Sequence, residues 1–147
     1  MRGVSDALPR LVATVLDTTD ARGLAEFYRA LLGFVYAQGD EPPDVGEPDP
    51  RGSSWLVLND ADGQPRLAVQ QVETLPRVTW PSGPVPQQLH LDLGVRGRDE
   101  LDVQRDRVVR LGGSVLEDRS DDPTESLVIC ADTAGPPFCL IALPHLG

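Results

Sequence analysis

The chain has 147 residues, a formal net charge of −10 and 13 basic residues, all of them arginine. An acidic chain lacks the basic stripe that binds nucleic acid or anionic membrane, and a chain without lysine excludes Schiff-base chemistry and lysine-dependent phosphate loops. No stretch approaches the roughly 20 apolar residues of a membrane span, and the polar opening MRGVSDALPR lacks a signal region, so a cytoplasmic protein is expected.

The first predicted element lies in LVATVLDTTD (11–20), apolar and β-branched, a strand ending in polar residues. In ARGLAEFYRALLG, Leu24, Phe27, Tyr28, Leu31 and Leu32 recur at helical spacing, with Asp20 suited to the N-cap and Gly33 to the C-terminal stop. The segments FVYAQ, SSWLVLND and RLAVQQVE read as three strands. Between the first two of them, the acidic, proline-rich run 37–52 reads as a mobile, solvated surface loop.

The second half repeats this order. QLHLDLGV (88–95) alternates as a strand, and RDELDVQRDRVVRLGG is a helix with Leu101, Val108 and Leu111 inward. SVLED, SLVICAD and PFCLIAL complete the half. The chain therefore reads as one α+β domain over 1–147, made of two tandem βαβββ modules. They span about 9–73 and 88–144, joined by the proline-rich segment 74–87. Cys130 and Cys139 lack Cys-x-x-Cys spacing and are expected reduced and buried. Two one-helix modules side by side curl into a half-open barrel around a central cavity suited to a small ligand.

The residues that carry a family resemblance are Asp20 to Phe34 (D-x₆-FYRALLGF), the opening HLDLGV of the second half, and Asp132 to Leu140 (D-x-x-G-x-P-F-C-L). With these the chain resembles the vicinal oxygen chelate superfamily, the group of glyoxalases, bleomycin-resistance proteins and extradiol dioxygenases. The resemblance implies the half-open barrel, a homodimer, and a site where four strand residues converge on a divalent ion such as Zn, Ni, Mn or Fe. Its four ligand positions fall here on Ala13, Gln70 (with Gln71 as the register alternative), His90 and Cys139. Alanine has no donor, so the implied metal set is His90, Gln70 and Cys139.

The residues add candidates of their own. His90 suits a general base or a ligand, or else a hydrogen-bonded cavity histidine. Asp92, two positions on, shares its face and is the second catalytic candidate. Asp17 shares the face of Ala13, and its favoured role is to cap the strand–helix turn. Cys139 reads as a thiolate ligand, a reactive thiol or, in its apolar strand, a small hydrophobe. Gln70, Trp55 and Trp80 are candidates for substrate binding, the tryptophans as aromatic walls or as packing residues. Three functions stay open: a binding protein of the antibiotic-sequestering type, a metal-dependent glyoxalase-type lyase or dioxygenase, and a metal-free acid/base lyase or isomerase using His90 and Asp92.

Overall fold

The structure is a computed structural model that describes residues 8–146. Residues 1–7 of the polar opening, where no signal region is expected, lie outside the described residues. No described helix is long and apolar enough to cross a membrane.

The first module runs β1 (Thr14–Thr18), α1 (Ala21–Leu32), β2 (Val35–Tyr36), a short 3₁₀ turn (Arg51–Ser53), β3 (Trp55–Asn59) and β4 (Pro65–Gln71). The second runs β5 (Leu91–Val95), α2 (Arg98–Arg110), β6 (Ser114–Arg119), β7 (Leu127–Ala131) and β8 (Pro137–Ala142). Each module is a four-stranded sheet, ordered β1-β4-β3-β2 in one and β5-β8-β7-β6 in the other. The first and last strands of each module pair in parallel and the other neighbours antiparallel. The duplicated βαβββ architecture expected from the sequence is the architecture observed.

Local chemistry explains both helices. Asp20 accepts a hydrogen bond from the Gly23 N–H at the start of α1, and Gly33 ends it at φ 70°, a left-handed position that glycine occupies without steric cost. Asp17 takes no part in that cap, correcting the role favoured for it; the neighbouring turn bond runs from the Asp20 N–H to Thr18 Oγ1. Helix α2 has no side-chain cap and buries only Leu101 and Val108. Asp99 and Glu100 in its first turn complement the helix dipole. Its Arg107 donates to the carbonyls of Ala30 (2.7 Å) and Leu31 (3.3 Å), which supplies partners to orphan carbonyls at the end of α1.

One core serves both modules. Leu24, Phe27 and Tyr28 of α1, Leu56, Leu58 and Val69 of the first sheet, and Val128, Phe138 and Leu140 of the second sheet belong to a single buried cluster. Phe138 meets Phe27 and Tyr28 edge-on, each at 6.0 Å between centroids. The Tyr28 hydroxyl donates to buried Asp132 Oδ2 at 2.7 Å. Because strand side chains alternate, the face of each sheet turned away from this core is free to bind.

The acidic run 37–52 is fastened rather than simply solvated, contrary to the expectation of a mobile loop. Asp40 is 2% exposed; its carboxylate accepts from the Val57 N–H (2.9 Å) and from Arg51 Nε (2.9 Å). Arg22 binds Asp49 with two nitrogens, donates to the Asp40 carbonyl, and lies 5.0 Å over the Tyr36 ring. Composition alone does not show this, because it records the acids and not the two arginines that reach them. Asp40→Ala strands a strand N–H and a guanidinium, so we expect a loss of about 1–2 kcal/mol and faster proteolytic nicking within 41–50. Chemical denaturation and limited proteolysis check both.

Candidate functional site

The open face of the first sheet presents a row across three strands. Trp55 pairs with Gln70, and Gln70 pairs with Asp17. The next residue, Gln71, is turned to structure: its Oε1 accepts from the Ala21 N–H and its Nε2 donates to the Thr19 carbonyl. Between the two register alternatives, Gln70 is thus the one on the open face.

The open face of the second sheet is more crowded. His90 lies one residue before β5 and Asp92 within it, and Asp92 is paired with Cys139 on β8. His90 Nε2 is 3.1 Å from Asp92 Oδ1. Its Nδ1 is 3.1 Å from Gln87 Nε2, and the Trp80 ring stacks on the imidazole at 5.1 Å with 17° between planes. In neutral His90, a hydrogen bond from the Gln87 amide to Nδ1 puts the ring proton on Nε2, pointing at Asp92. The ligand atoms of His90, Asp92 and Cys139 all lie within 4.8 Å of one another.

Cys139 is 4% exposed and packs with Leu127, Ile129 and the partly buried Trp80 and Ile141. Burial, reinforced by the nearby Asp92 carboxylate, pushes its thiol up to about 11. Unassisted, it is a thiol near neutrality and not a ready nucleophile. Cys130, on the core side of the sheet, is pushed up to about 12 by the same cause. Both cysteines are free and buried, as expected.

A cavity of about 680 Å³ lies between the modules. Val15, Asp17 and Gln70 line it from the first module, His90 and Asp132 from the second, and Val85 and Gln87 from the joining segment. Trp80 lines a second hollow of about 520 Å³ beside Arg77, Ser114 and Leu116. A smaller hollow of about 330 Å³, lined partly by Leu32, Glu100 and Arg107, does not reach His90. The structure therefore brings Gln70, Asp17 and His90 to one cavity, and gathers Trp80, Asp92 and Cys139 around the histidine. Trp55 adjoins Gln70 but does not line the cavity.

Three further residues were not among the sequence candidates for the site. Gln87 sits outside any regular strand, so alternation gave no reason to aim it at His90. The Tyr28–Asp132 pair joins residues 104 positions apart, a closure no local pattern reports.

The four inherited ligand positions do not make a metal site as a set. Ala13 has no donor; among the His, Cys, Asp and Glu side chains of the described residues, His90, Asp92 and Cys139 lie close together, all in the second module.

A family model described as glyoxalase-like domain matches residues 13–141. The chain belongs to this glyoxalase-like family. Solved structures give the same fold, which is that of the vicinal oxygen chelate superfamily. A glyoxalase/bleomycin resistance protein/dioxygenase family enzyme from Burkholderia phytofirmans aligns at TM-score 0.62 and 12% identity, covering 89% of this chain and 96% of its own. The fosfomycin resistance protein FosX from Mesorhizobium loti aligns at TM-score 0.64 and 13% identity, covering 96% and 100%. FosX from Listeria monocytogenes, in a complex with Mn(II) and 1S,2S-dihydroxypropylphosphonic acid, aligns at TM-score 0.64 and 16% identity, covering 92% and 93%. No curated protein sequence matches this glyoxalase-like chain significantly. At these identities the structural likeness establishes the fold and nothing finer.

Proposed function

We propose that this glyoxalase-like protein binds a small organic molecule in the cavity between its modules. The observation that carries the reading is the cavity itself: about 680 Å³, with apolar walls including Val15 and Val85 and a few polar groups, Asp17, Gln70 and His90. Volume and composition match those of small-molecule sites, where apolar contact supplies affinity and sparse polar groups fix orientation. The FosX complex with a phosphonic acid supports a small, polar-headed ligand as the class to try first. Duplex nucleic acid and membrane remain outside the reading, given the net charge of −10. The protein acts as a homodimer in this reading. Trp55 and Leu116 leave 40% and 47% of their surface exposed, apolar area that a second copy can cover.

The His90–Asp92 contact favours a second reading, lyase or isomerase chemistry on the bound molecule. An imidazole paired with a carboxylate at Nε2 is oriented as a general acid/base requires, with Nδ1 available to a bound molecule once the Gln87 amide gives it up.

Thermal shift against aromatic and oxygen-rich compounds, phosphonates included, tests the binding reading. A ligand at a hundred times its Kd adds about 2.7 kcal/mol, which raises Tm by roughly 5–10 °C in a protein of this size. We expect Gln70→Leu and His90→Ala to weaken any such ligand by roughly tenfold or more, the worth of one good hydrogen bond to a buried partner. A ligand that binds both variants as tightly as the parent occupies another site and overturns the reading. Substrate turnover lost in His90→Ala but not in Gln70→Leu supports the catalytic one.

A further inference from the structure

We propose that the cavity between the modules selects an organic cation, a protonated amine on an apolar body, with the ammonium seated between Asp17 and Gln70. This rests on the reading that the cavity binds a small molecule, and it names the chemical class of that molecule.

The seat follows from strand register. Asp17 on β1 and Gln70 on β4 are paired across parallel strands, so both side chains leave the sheet on its open face, their bases roughly 5 Å apart. Both line the cavity, and among the described residues neither side chain has a hydrogen bond or an ion pair of its own. Their neighbours are engaged. Gln71 closes the turn into α1. Asp132, which also lines the cavity, already accepts from the Tyr28 hydroxyl and from the Ala134 and Gly135 N–H groups. Asp17 and Gln70 are therefore the acceptors that the first module leaves for a ligand. An ammonium has three donors. One reaches the carboxylate, one the side-chain oxygen of Gln70, and the third stays with water.

The rest of the wall fixes the sign of the charge. An amide can present either its oxygen or its N–H groups, so Gln70 accepts a cation or an anion, whereas the Asp17 carboxylate accepts only a cation. No arginine is among the described residues that line the cavity, and the chain has no lysine. The joining segment carries one basic residue, Arg77, which lines the neighbouring hollow, while Pro76 and Val78 on either side of it line the cavity. His90 lies 3.1 Å from Asp92, so that pair is neutral when the imidazole is protonated and negative when it is not. A carboxylate or phosphonate head thus meets no counter-charge and must approach Asp17 in a chain of net charge −10. The same field draws a cation in.

The ligand's body is apolar. Leu75, Val78, Val85 and Leu89 also line the cavity, and Val85 and Leu89 are 39% and 61% exposed. A hydrocarbon or aromatic body laid against them removes that area from water. It also shields the ammonium–carboxylate contact, which is then stronger than an ion pair left open to solvent.

The test uses the full chain and a matched panel of compounds: phenyl, naphthyl and cyclohexyl bodies, each carrying an aminoethyl, a hydroxyethyl or a carboxyethyl head. Calorimetric titration at pH 7 and low salt ranks them. For each body we expect the amine to bind roughly tenfold or more tightly than the alcohol, the worth of one charge-assisted hydrogen bond, and the carboxylate to bind more weakly than the alcohol. Added salt should weaken the amine and leave the alcohol nearly unchanged. Asp17→Asn, an isosteric change at an exposed position, should bring the amine down to about the level of the alcohol. Arg77→Ala should bind the amine at least as tightly as the parent does. An alcohol equal to its amine, a carboxylate that binds best, or an amine indifferent to Asp17→Asn overturns the cation class. The cavity reading then stands or falls by His90→Ala, tested with whichever compound binds. A panel in which no member binds at millimolar concentration overturns both.

Discussion

Phe138→Ala is expected to lower the stability of the folded chain by about 3–5 kcal/mol, the usual cost of deleting a fully buried aromatic ring. Phe138 is 0% exposed and is the one residue of β8 whose ring touches the rings of both Phe27 and Tyr28 on α1. Its deletion leaves a cavity where the two modules meet, and the edge-to-face contacts on either side are lost with it. At roughly 2–4 °C per kcal/mol, the Tm should fall on the order of 10–15 °C. Phe138→Leu keeps most of the volume and should cost well under half as much. Scanning calorimetry checks the size and also the shape of the change. Because one buried cluster contains residues of both modules, parent and variants should each unfold in a single transition. Two transitions in the parent would mean that the modules fold as separate units.

The second large effect is expected at Asp132. Asp132→Ala removes the acceptor of the buried Tyr28 hydroxyl and of the Ala134 and Gly135 N–H groups. Stranding these donors should cost about 2–3 kcal/mol. Asp132→Asn retains an acceptor oxygen and should behave differently. Burial raises the Asp132 carboxyl above its ordinary value, against the opposing pull of Tyr28 and the two N–H groups. A folded-state value above the unfolded one means that the folded protein holds the proton more tightly. The stabilisation from that proton is complete below the unfolded value and is lost as pH rises through the folded one. Relative to Asp132→Asn, the parent should therefore be more stable at pH 4 than at pH 7. Urea denaturation of both proteins at the two pH values measures the difference. A parent that gains on the variant as pH rises would reverse the sign and show that the hydrogen bonds outweigh burial.

The sequence carries much of the architecture because its signals are local. The α1 stripe of Leu24, Phe27, Tyr28 and Leu31 is written at helical spacing and is buried as written. The alternation HLDLGV put His90 and Asp92 on one face, and they meet at 3.1 Å. What escaped the sequence depends on contacts between distant or irregular segments. Trp80 and Gln87 belong to a proline-rich joiner with no period, so neither could be aimed at His90 in advance. Asp40 sits among acids that composition assigns to solvent, yet Arg51 and the Val57 N–H draw it inside. The N-cap at Asp20 was legible and holds the Gly23 N–H, whereas the turn contact favoured for Asp17 is made by Thr18, whose Oγ1 accepts from the Asp20 N–H.

Among the described residues, strands β1 and β5 each end their sheet, paired on one side only, to β4 and to β8. An unpaired strand edge is a template on which a misplaced strand from another molecule can add. Both edges here are only five residues long, and each has an aspartate on its outward face, Asp17 on one and Asp92 on the other. In a chain of net charge −10, two such edges approaching each other bring carboxylates together across the gap. The same acids that face the ligand cavity and the histidine thus also guard against edge-to-edge aggregation, and neutralising either one for functional study exposes a sticky edge.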